Sequence, residues 1–446
     1  MVLYNISFYE RTTVMDKTLL WVWLSLHMKQ GTHVYHYLLE EFGDIEAIYN
    51  CEDNDIKDLP WLYDNQKAKI LDKTLDRAKA VVRWCNKASV NILTLDDDLY
   101  PETLKDIDSR PGVLYYIGTL PDFKKDLCIG VVGTRDMTVF GEQSAFEIGY
   151  GLTKGGATVI SGGALGIDCT AQKGALIADG ATVTVLGSGI DVLYPYQNKE
   201  TFIRILEKGA IITEYPPHTP PTGYNFPVRN RLISGMSKGL VVVEGDRNSG
   251  AMITAEKATK QGRMLFSVPG QPGVFQATGT NELIRNGAKA VSCAIDILEE
   301  YLEEYGETIK ITPSKEKPDI SLLKRYNNDE NHGFIKNFLD AIGFKSRDNK
   351  KTRRNKNESS KDGDDKSKDD SVKQAEDNAV NLEELGIPFD ENAKKIYEYM
   401  EIGKPYSIDN LVELGIDINK VVSSLTILEI SSLVSSLPGG FYEKIK

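Results

Sequence analysis

A doubly wound α/β parallel sheet, with a small helical unit before it and a winged-helix-like unit after it, is the fold class that this sequence predicts. Three observations carry the prediction. Short, wholly apolar runs recur between helix-length segments from Cys128 to Val268, the texture of strands covered by helices on both faces. Glycines cluster where those runs end, as at Gly162-Gly163 and Gly187-Ser188-Gly189. On either side the texture changes, to helical periodicity before residue 90 and to a charged tract almost free of apolar residues from 346 to 377.

At 446 residues the chain is too long for one ordinary domain. It divides into a helical unit over 1–90, a sheet domain over 91–305, a charged linker over 306–388 and a C-terminal unit over 389–446. In the first, apolar residues recur three and four apart through Tyr35, Leu38, Leu39 and Phe42, and again through Ile70, Leu71, Leu75, Ala78 and Val82, which predicts short packed helices. Leu19 to Leu26 is the most apolar stretch; it is far short of the roughly 20 residues of a membrane span and lacks a small-residue cleavage site. It reads as a buried helix of a cytoplasmic protein with no membrane contact.

Short strands are expected at Ile92–Leu95 and Val113–Ile117. The regular alternation then runs through Cys128–Val132, Thr158–Ile160, Thr182–Leu186, Ala210–Ile212, Leu240–Val243 and Met264–Val268. Beyond the sheet, the Lys-, Asp-, Ser- and Asn-rich tract cannot offset the entropy of ordering and reads as a disordered spacer. Order is expected again in three short helices, Ala393–Met400, one capped by Ser407, and one from Asp417 or Asn419 to about Leu428. A hairpin turning at Pro438-Gly439-Gly440 follows. The third helix carries Lys420 beside Asp417 and Glu429, which favours partner contact or autoregulation over duplex DNA.

The formal net charge of -12 excludes a wholly basic nucleic-acid coat, though not a local basic groove, because binding follows the field at the site. Five scattered cysteines with no CxxC pair, and no histidines at metal spacing, read as free thiols in a reducing compartment. No metal, cofactor or catalytic residue is expected.

The chemistry concentrates at the strand ends. Gly133, Thr134 and Arg135 close the first strand of the alternation, ahead of a helix that begins near Gly141. Glycine there admits a phosphate to backbone N–H groups, and the helix N-terminus adds partial positive charge; a tight turn with an exposed arginine fits the same residues. Ser161 to Asp168 carries Gly162 and Gly163 in a loop that resembles a phosphate cradle, but it is neither GxGxxG nor a P-loop. It suits a mononucleotide or one sugar-phosphate unit better than a dinucleotide.

Asn225, Phe226, Arg229, Asn230 and Arg231 form a compact set of anion and stacking groups. Arginine neutralises phosphate, and an aromatic face stacks a base for roughly 1–3 kcal/mol without demanding a sequence. From Arg229 to Arg263 bases outnumber acids, a local positive excess, although one arginine paired with a buried acid such as Glu244 is also expected. Ser249 and Gly250 open a further helix whose free N–H groups face the same crevice. Asn281 is a weaker ligand candidate, and His218, in a proline-rich run, reads as a solvated loop residue.

In this order the motifs resemble the DprA (Smf) family of DNA-processing proteins. The matching segments are Val132-Gly133-Thr134-Arg135, Ile160 to Asp168, Leu186 to Asp191, Glu214-Tyr215-Pro216-Pro217, Asn225 to Arg231, Ser249 to Ala255 and Val268-Pro269-Gly270. The resemblance implies an extended Rossmann-like domain that binds single-stranded DNA, forms a homodimer, and loads a RecA-type recombinase on incoming DNA in natural transformation. Its pocket, carried over by motif, uses Arg135, Gly162-Gly163, Phe226, Arg229 and Arg231. The flanking units also fit that layout, the first as a SAM- or helix-hairpin-helix-like domain. Gln172 stands where the family carries a histidine. Met28-Lys29-Gln30-Gly31 stands where a helix-hairpin-helix turn reads Gly-Ile-Gly, which argues against duplex contact there. Two alternatives stand beside this reading. One is a LOG-type nucleoside monophosphate phosphoribohydrolase, whose Pro-Gly-Gly-x-Gly-Thr loop and catalytic Glu have no counterpart in Asn248-Ser249-Gly250-Ala251. The other is a nucleotide-sensing scaffold.

Overall fold

The computed structural model describes residues 16–311, 318–326 and most of 391–445. It forms two units, which divide after Ser346. The first is built on a nine-stranded sheet: β1 (Asn91–Thr94), β2 (Val113–Gly118), β3 (Cys128–Val132), β4 (Thr158–Ser161), β5 (Thr182–Val185), β6 (Ala210–Thr213), β7 (Gly239–Val242), β8 (Met264–Ser267) and β9 (Lys289–Ala290). Their spatial order is β1-β2-β6-β5-β4-β3-β7-β8-β9. From β6 to β9 every pairing is parallel.

The sheet is mixed and not wholly parallel as expected, because β2 runs antiparallel to β6 and to β1. Leu95 to Gly112 joins β1 to β2, with one four-residue helix at Glu102–Lys105. That connection reverses the chain but holds no helix long enough to cross the sheet face, which a parallel return ordinarily uses.

Alternation along each buried strand separates two apolar layers. Ile129 and Val131 of β3, with Val241 of β7, pack with Ala145, Ile148, Ala171 and Ala175 from the helices Val139–Lys154 and Ile167–Ile177. Cys128 and Val132, with Leu240 and Val242, point to the other face and meet Leu232, Ile233, Ala251, Ala255 and Ala258 from the helices Asn225–Gly235 and Gly250–Lys260. Gly149 and Gly174 let the first pair of helices touch backbone to backbone; a Cβ on Gly174 would lie 2.5 Å from the Phe146 carbonyl oxygen.

Residues 17–87 form six short helices. Leu20 to Leu24 is buried, as the apolar stretch predicts, and it shares one core with Tyr115, Ile117, Leu186 and Phe202 of the sheet layer. The beginning of the expected spacer is also packed. Ile309 is buried, the Lys310 N–H donates to the Gly155 carbonyl at 2.8 Å, and the helix Ser321–Tyr326 lies against Ile167–Ile177. The charged tract at 346–377 lies outside the described residues.

In the second unit the helix Glu391–Tyr399 is followed by β10 (Pro405–Ser407), the helix Ile408–Val412, β11 (Val434–Leu437) and β12 (Phe441–Lys444). The strands form an antiparallel sheet in the order β10-β12-β11, over a core containing Ile396, Leu411, Leu425, Leu428 and Val434. Ser407 caps the second helix as expected, its Oγ accepting from the Asn410 N–H at 3.2 Å. The turn expected at 438–440 lies outside the described residues.

Candidate nucleic-acid interface

The parallel strands end along one edge of the sheet, and the helix Asn225–Gly235 passes over the ends of β4 and β5. Asn225 anchors its start: Nδ2 donates to the carbonyls of Gly187 (3.0 Å) and Pro220 (3.3 Å), and its own carbonyl accepts from the Tyr215 hydroxyl at 3.2 Å. Pro227 falls in the first turn, where a missing N–H breaks no helical bond. Phe226 and Arg229 are three residues apart and share a face. Arg231, a further two positions on, is rotated by about 200° and faces away.

Arg229 is buried. Its Nη1 donates to the Gly162 carbonyl at 2.8 Å and to the Val185 carbonyl, which ties the ends of β4 and β5 together. Burial lowers its pKa to about 10 against the opposing pull of Asp168. Burial likewise raises the Asp168 pKa, with Arg229 acting against that shift. Phe226 sits between charges: the Arg135 guanidinium lies 5.6 Å and that of Arg229 5.9 Å from its ring centre, and the Tyr194 ring is 5.5 Å away at 39°. Arg135 is exposed. These residues, with Gly162, Ala164, Leu165 and Pro195, line a cleft of about 30 Å³. That enclosed volume is far below the roughly 300–1,000 Å³ of ordinary small-ligand pockets, so a whole mononucleotide is not enclosed there.

The glycine loop is also built differently from the expected phosphate cradle. The Gly162 N–H already donates to Asp168 Oδ2 at 3.1 Å. Gly162 and Gly163 are there because side chains crowd them: a Cβ on Gly162 would lie 2.7 Å from both Arg229 Nη2 and Asp168 Oδ2, and one on Gly163 would lie 2.6 Å from the Phe202 ring. Gly163 also has a φ of +64°, which a residue with a Cβ adopts only under strain.

At β3, a Cβ on Gly133 would lie 2.5 Å from Ile167 Cγ1, and the Thr134 N–H donates to the Glu244 carbonyl at 2.8 Å. The helix N-terminus that follows is filled from within. The Glu244 carboxylate accepts from the Thr138 N–H (2.9 Å) and hydroxyl (2.5 Å), while Thr138 Oγ1 accepts from the Gly141 N–H at 3.0 Å. An internal carboxylate holds the place that a phosphate was expected to take. Glu244 is accordingly not the partner of an arginine.

Arg231 is placed away from the cleft. It is buried in an ion pair with Glu214 and reaches toward the helical segment, where a Cβ on Gly31 would lie 3.4 Å from its Nε. Asn230 is half-buried; its Oδ1 accepts from Arg229 Nε at 3.2 Å and its Nδ2 donates to the Gly250 carbonyl at 3.4 Å. Ser249 and Gly250 begin the next helix beyond β7, and the Ser249 hydroxyl has no hydrogen-bond partner. The positive excess from 229 to 263 does not form an open basic surface. Lys238 pairs with Glu304, Arg247 with Glu282 and Lys260 with Glu256, and Arg263 donates to the carbonyls of Thr103 and Gly235.

Gln172 is buried with its side-chain amide turned to β5, its Nε2 donating to Thr184 Oγ1 at 2.7 Å and the Val183 carbonyl at 3.2 Å. Asn281 clasps both the N–H and the carbonyl of Gly270. His218 is exposed yet paired with Asp191 at 2.6 Å. Sequence reasoning missed Tyr194, Pro195 and Leu165 in the cleft; an aromatic-proline pair shortly after the Gly187-Ser188-Gly189 strand end was the available signal.

Residues 91–302 match the family model described as DNA recombination-mediator protein A. Protein Smf of Synechocystis sp. is 41% identical over 50% of this chain and 57% of its own length, so the chain spans little more than half of that relative. The DNA processing protein DprA of Bacillus subtilis is 37% identical over 48% of this chain and 72% of its own. That of Streptococcus pneumoniae is 38% identical over 61% and 91%. The X-ray structure of the S. pneumoniae protein has a TM-score of 0.56 to this chain at 28% identity, covering 67% of this chain and 99% of that one. With its glycine-lined strand ends and the Phe226–Arg229 helix laid over them, the chain belongs to the DprA (Smf) family of DNA-processing proteins.

Proposed function

We propose that the cleft mouth binds single-stranded DNA and that the protein is a DNA-processing recombination mediator. The observation that carries the reading is the exposed Arg135 guanidinium over Phe226, with Tyr194 alongside and Arg229 below. A cation and two aromatic rings at one opening neutralise a phosphate and stack a base without reading sequence. Asp168 and Arg229 are engaged with the loop backbone, which suits holding a strand rather than turning it over. Gly133, Thr134, Gly162, Gly163, Asn225, Asn230, Ser249 and Gly250 shape the surrounding strand ends, and Arg231 supports them from inside. In this reading the protein works as a homodimer in the cytoplasm. Two linked clefts lengthen the bound tract, protect incoming DNA and present it to a RecA-type recombinase, with the C-terminal winged-helix-like unit contacting a protein partner.

The test is binding of fluorescent single-stranded and duplex oligonucleotides across a salt series, for wild type, Arg135→Ala and Phe226→Ala. Single-strand preference with loss in both variants is expected. Equal binding by all three proteins removes DNA from the cleft.

A further inference from the structure

A second open volume of the first unit lies outside the cleft. A groove of about 590 Å³ runs between the helices Lys17–His27 and Asp76–Lys87 on one side and the Tyr215–Pro220 loop on the other. Its lining includes Gln30, Arg77, Tyr215, Pro217 and His218, and no carboxylate is among the lining residues. Arg77 is exposed. His218 is held at the rim by a constructed loop: its φ is +67°, its N–H donates to Asp191 Oδ1 at 2.8 Å, and its Nδ1 is 2.6 Å from Asp191 Oδ2. That pairing leaves Nε2 for another group, and the Trp84 edge meets the ring at 5.1 Å.

Hydrogen bonds tie one wall of the groove to the helix that lines the cleft. The Tyr215 hydroxyl and the Pro220 carbonyl both bond Asn225, which begins the helix that carries Phe226 and Arg229. Tyr224, the residue before that helix, is 57% exposed, with the Lys29 ammonium 4.2 Å from its ring centre. In a chain with a net charge of -12, Arg135, Lys29 and Arg77 are exposed cations, and the exposed Tyr224 ring lies beside one of them.

We propose that this groove is a second nucleotide subsite, in which the Arg77 guanidinium holds a phosphate, His218 Nε2 accepts from a base N–H, and the apolar walls take the sugar and base. Its volume falls within the roughly 300–1,000 Å³ of ordinary small-ligand pockets. The nucleotide unit arrives in a strand that leaves the cleft past Tyr224 and Lys29, and this part rests on the reading that the cleft binds single-stranded DNA. The same chemistry would accept a free nucleoside monophosphate.

Oligothymidylates from roughly 4 to 16 nucleotides long, titrated at several salt concentrations, test the subsite. Arg77→Ala is expected to bind the shortest strands as wild type does. On the longest it loses affinity, with a log–log salt slope shallower by about 0.7 per lost phosphate contact, and Arg77→Lys restores the slope. Unchanged binding of every length by Arg77→Ala, alongside loss at every length by Arg135→Ala, overturns the subsite and leaves the cleft standing. Loss only in Arg77→Ala overturns the cleft reading and keeps the subsite. Thymidine 5′-monophosphate separates the two sources. A saturable fluorescence change that vanishes in both Trp84→Phe and Arg77→Ala assigns a free nucleotide to the groove, and a length effect without that change assigns the strand.

Discussion

Arg231 and Glu214 form an ion pair inside the protein, with side chains 4% and 3% exposed. Arg231 Nε and Nη1 and Glu214 Oε1 have no hydrogen-bond partner, and Tyr35 and Tyr100 are close enough to feel both charges. Removing either partner leaves a buried charge uncompensated, and a loss of about 3–5 kcal/mol in unfolding free energy is expected for Arg231→Ala or Glu214→Ala. Chemical denaturation measures it. The salt slope of DNA binding should not change in any Arg231 variant that folds; a shallower slope would return Arg231 to the list of phosphate contacts.

Arg135 and Phe226 separate charge from stacking. Arg135 is exposed, so Arg135→Ala should leave stability within about 0.5 kcal/mol while reducing the salt slope by about 0.7. Phe226→Ala should weaken binding by about 1–3 kcal/mol per stacked base at an unaltered slope. A common effect on slope in both variants would contradict this division.

Gly162 tests whether the loop must be bare. A Cβ there lies 2.7 Å from Arg229 Nη2 and from Asp168 Oδ2, so Gly162→Ala displaces the guanidinium that ties β4 to β5. Overpacking of this kind costs about 1–3 kcal/mol, and affinity for single strands should fall with it. Wild-type melting temperature and affinity together would show that the loop yields without consequence.

Asp168 gives a signed pH dependence. Burial raises its pKa in the folded state above the ordinary carboxyl value. Its contribution to stability is therefore full below that ordinary value and is lost as pH rises through the folded pKa. Asn mimics the protonated side chain, so the stability of Asp168→Asn relative to wild type should increase as pH rises from about 4 toward neutrality. A decrease over that range would mean that Arg229 outweighs burial. Thermal melts of both proteins across the window decide it.

Much of this molecule was legible in one dimension, because burial and turning leave local marks. A strand covered on both faces has to be apolar at successive positions, as in Cys128–Val132, and a chain that turns against a packed side chain needs glycine, as at Gly163. Those marks predicted the alternating elements, the segment carrying Phe226 and Arg229 as a binding set, and the family. They did not reveal the antiparallel edge, since residues 91–118 show how long the strands are but not which neighbour they take. Nor did they reveal how the charges are used. Arg231 meets Glu214 across 17 residues and Thr138 meets Glu244 across 106, partners that become neighbours only once β6 and β7 have found their places in the sheet. A charged side chain shows in the sequence as a charge alone. Whether it faces solvent as Arg135 does, or is neutralised inside as Arg231 is, depends on what the tertiary structure sets beside it, because a buried charge persists only where a partner offsets its lost hydration.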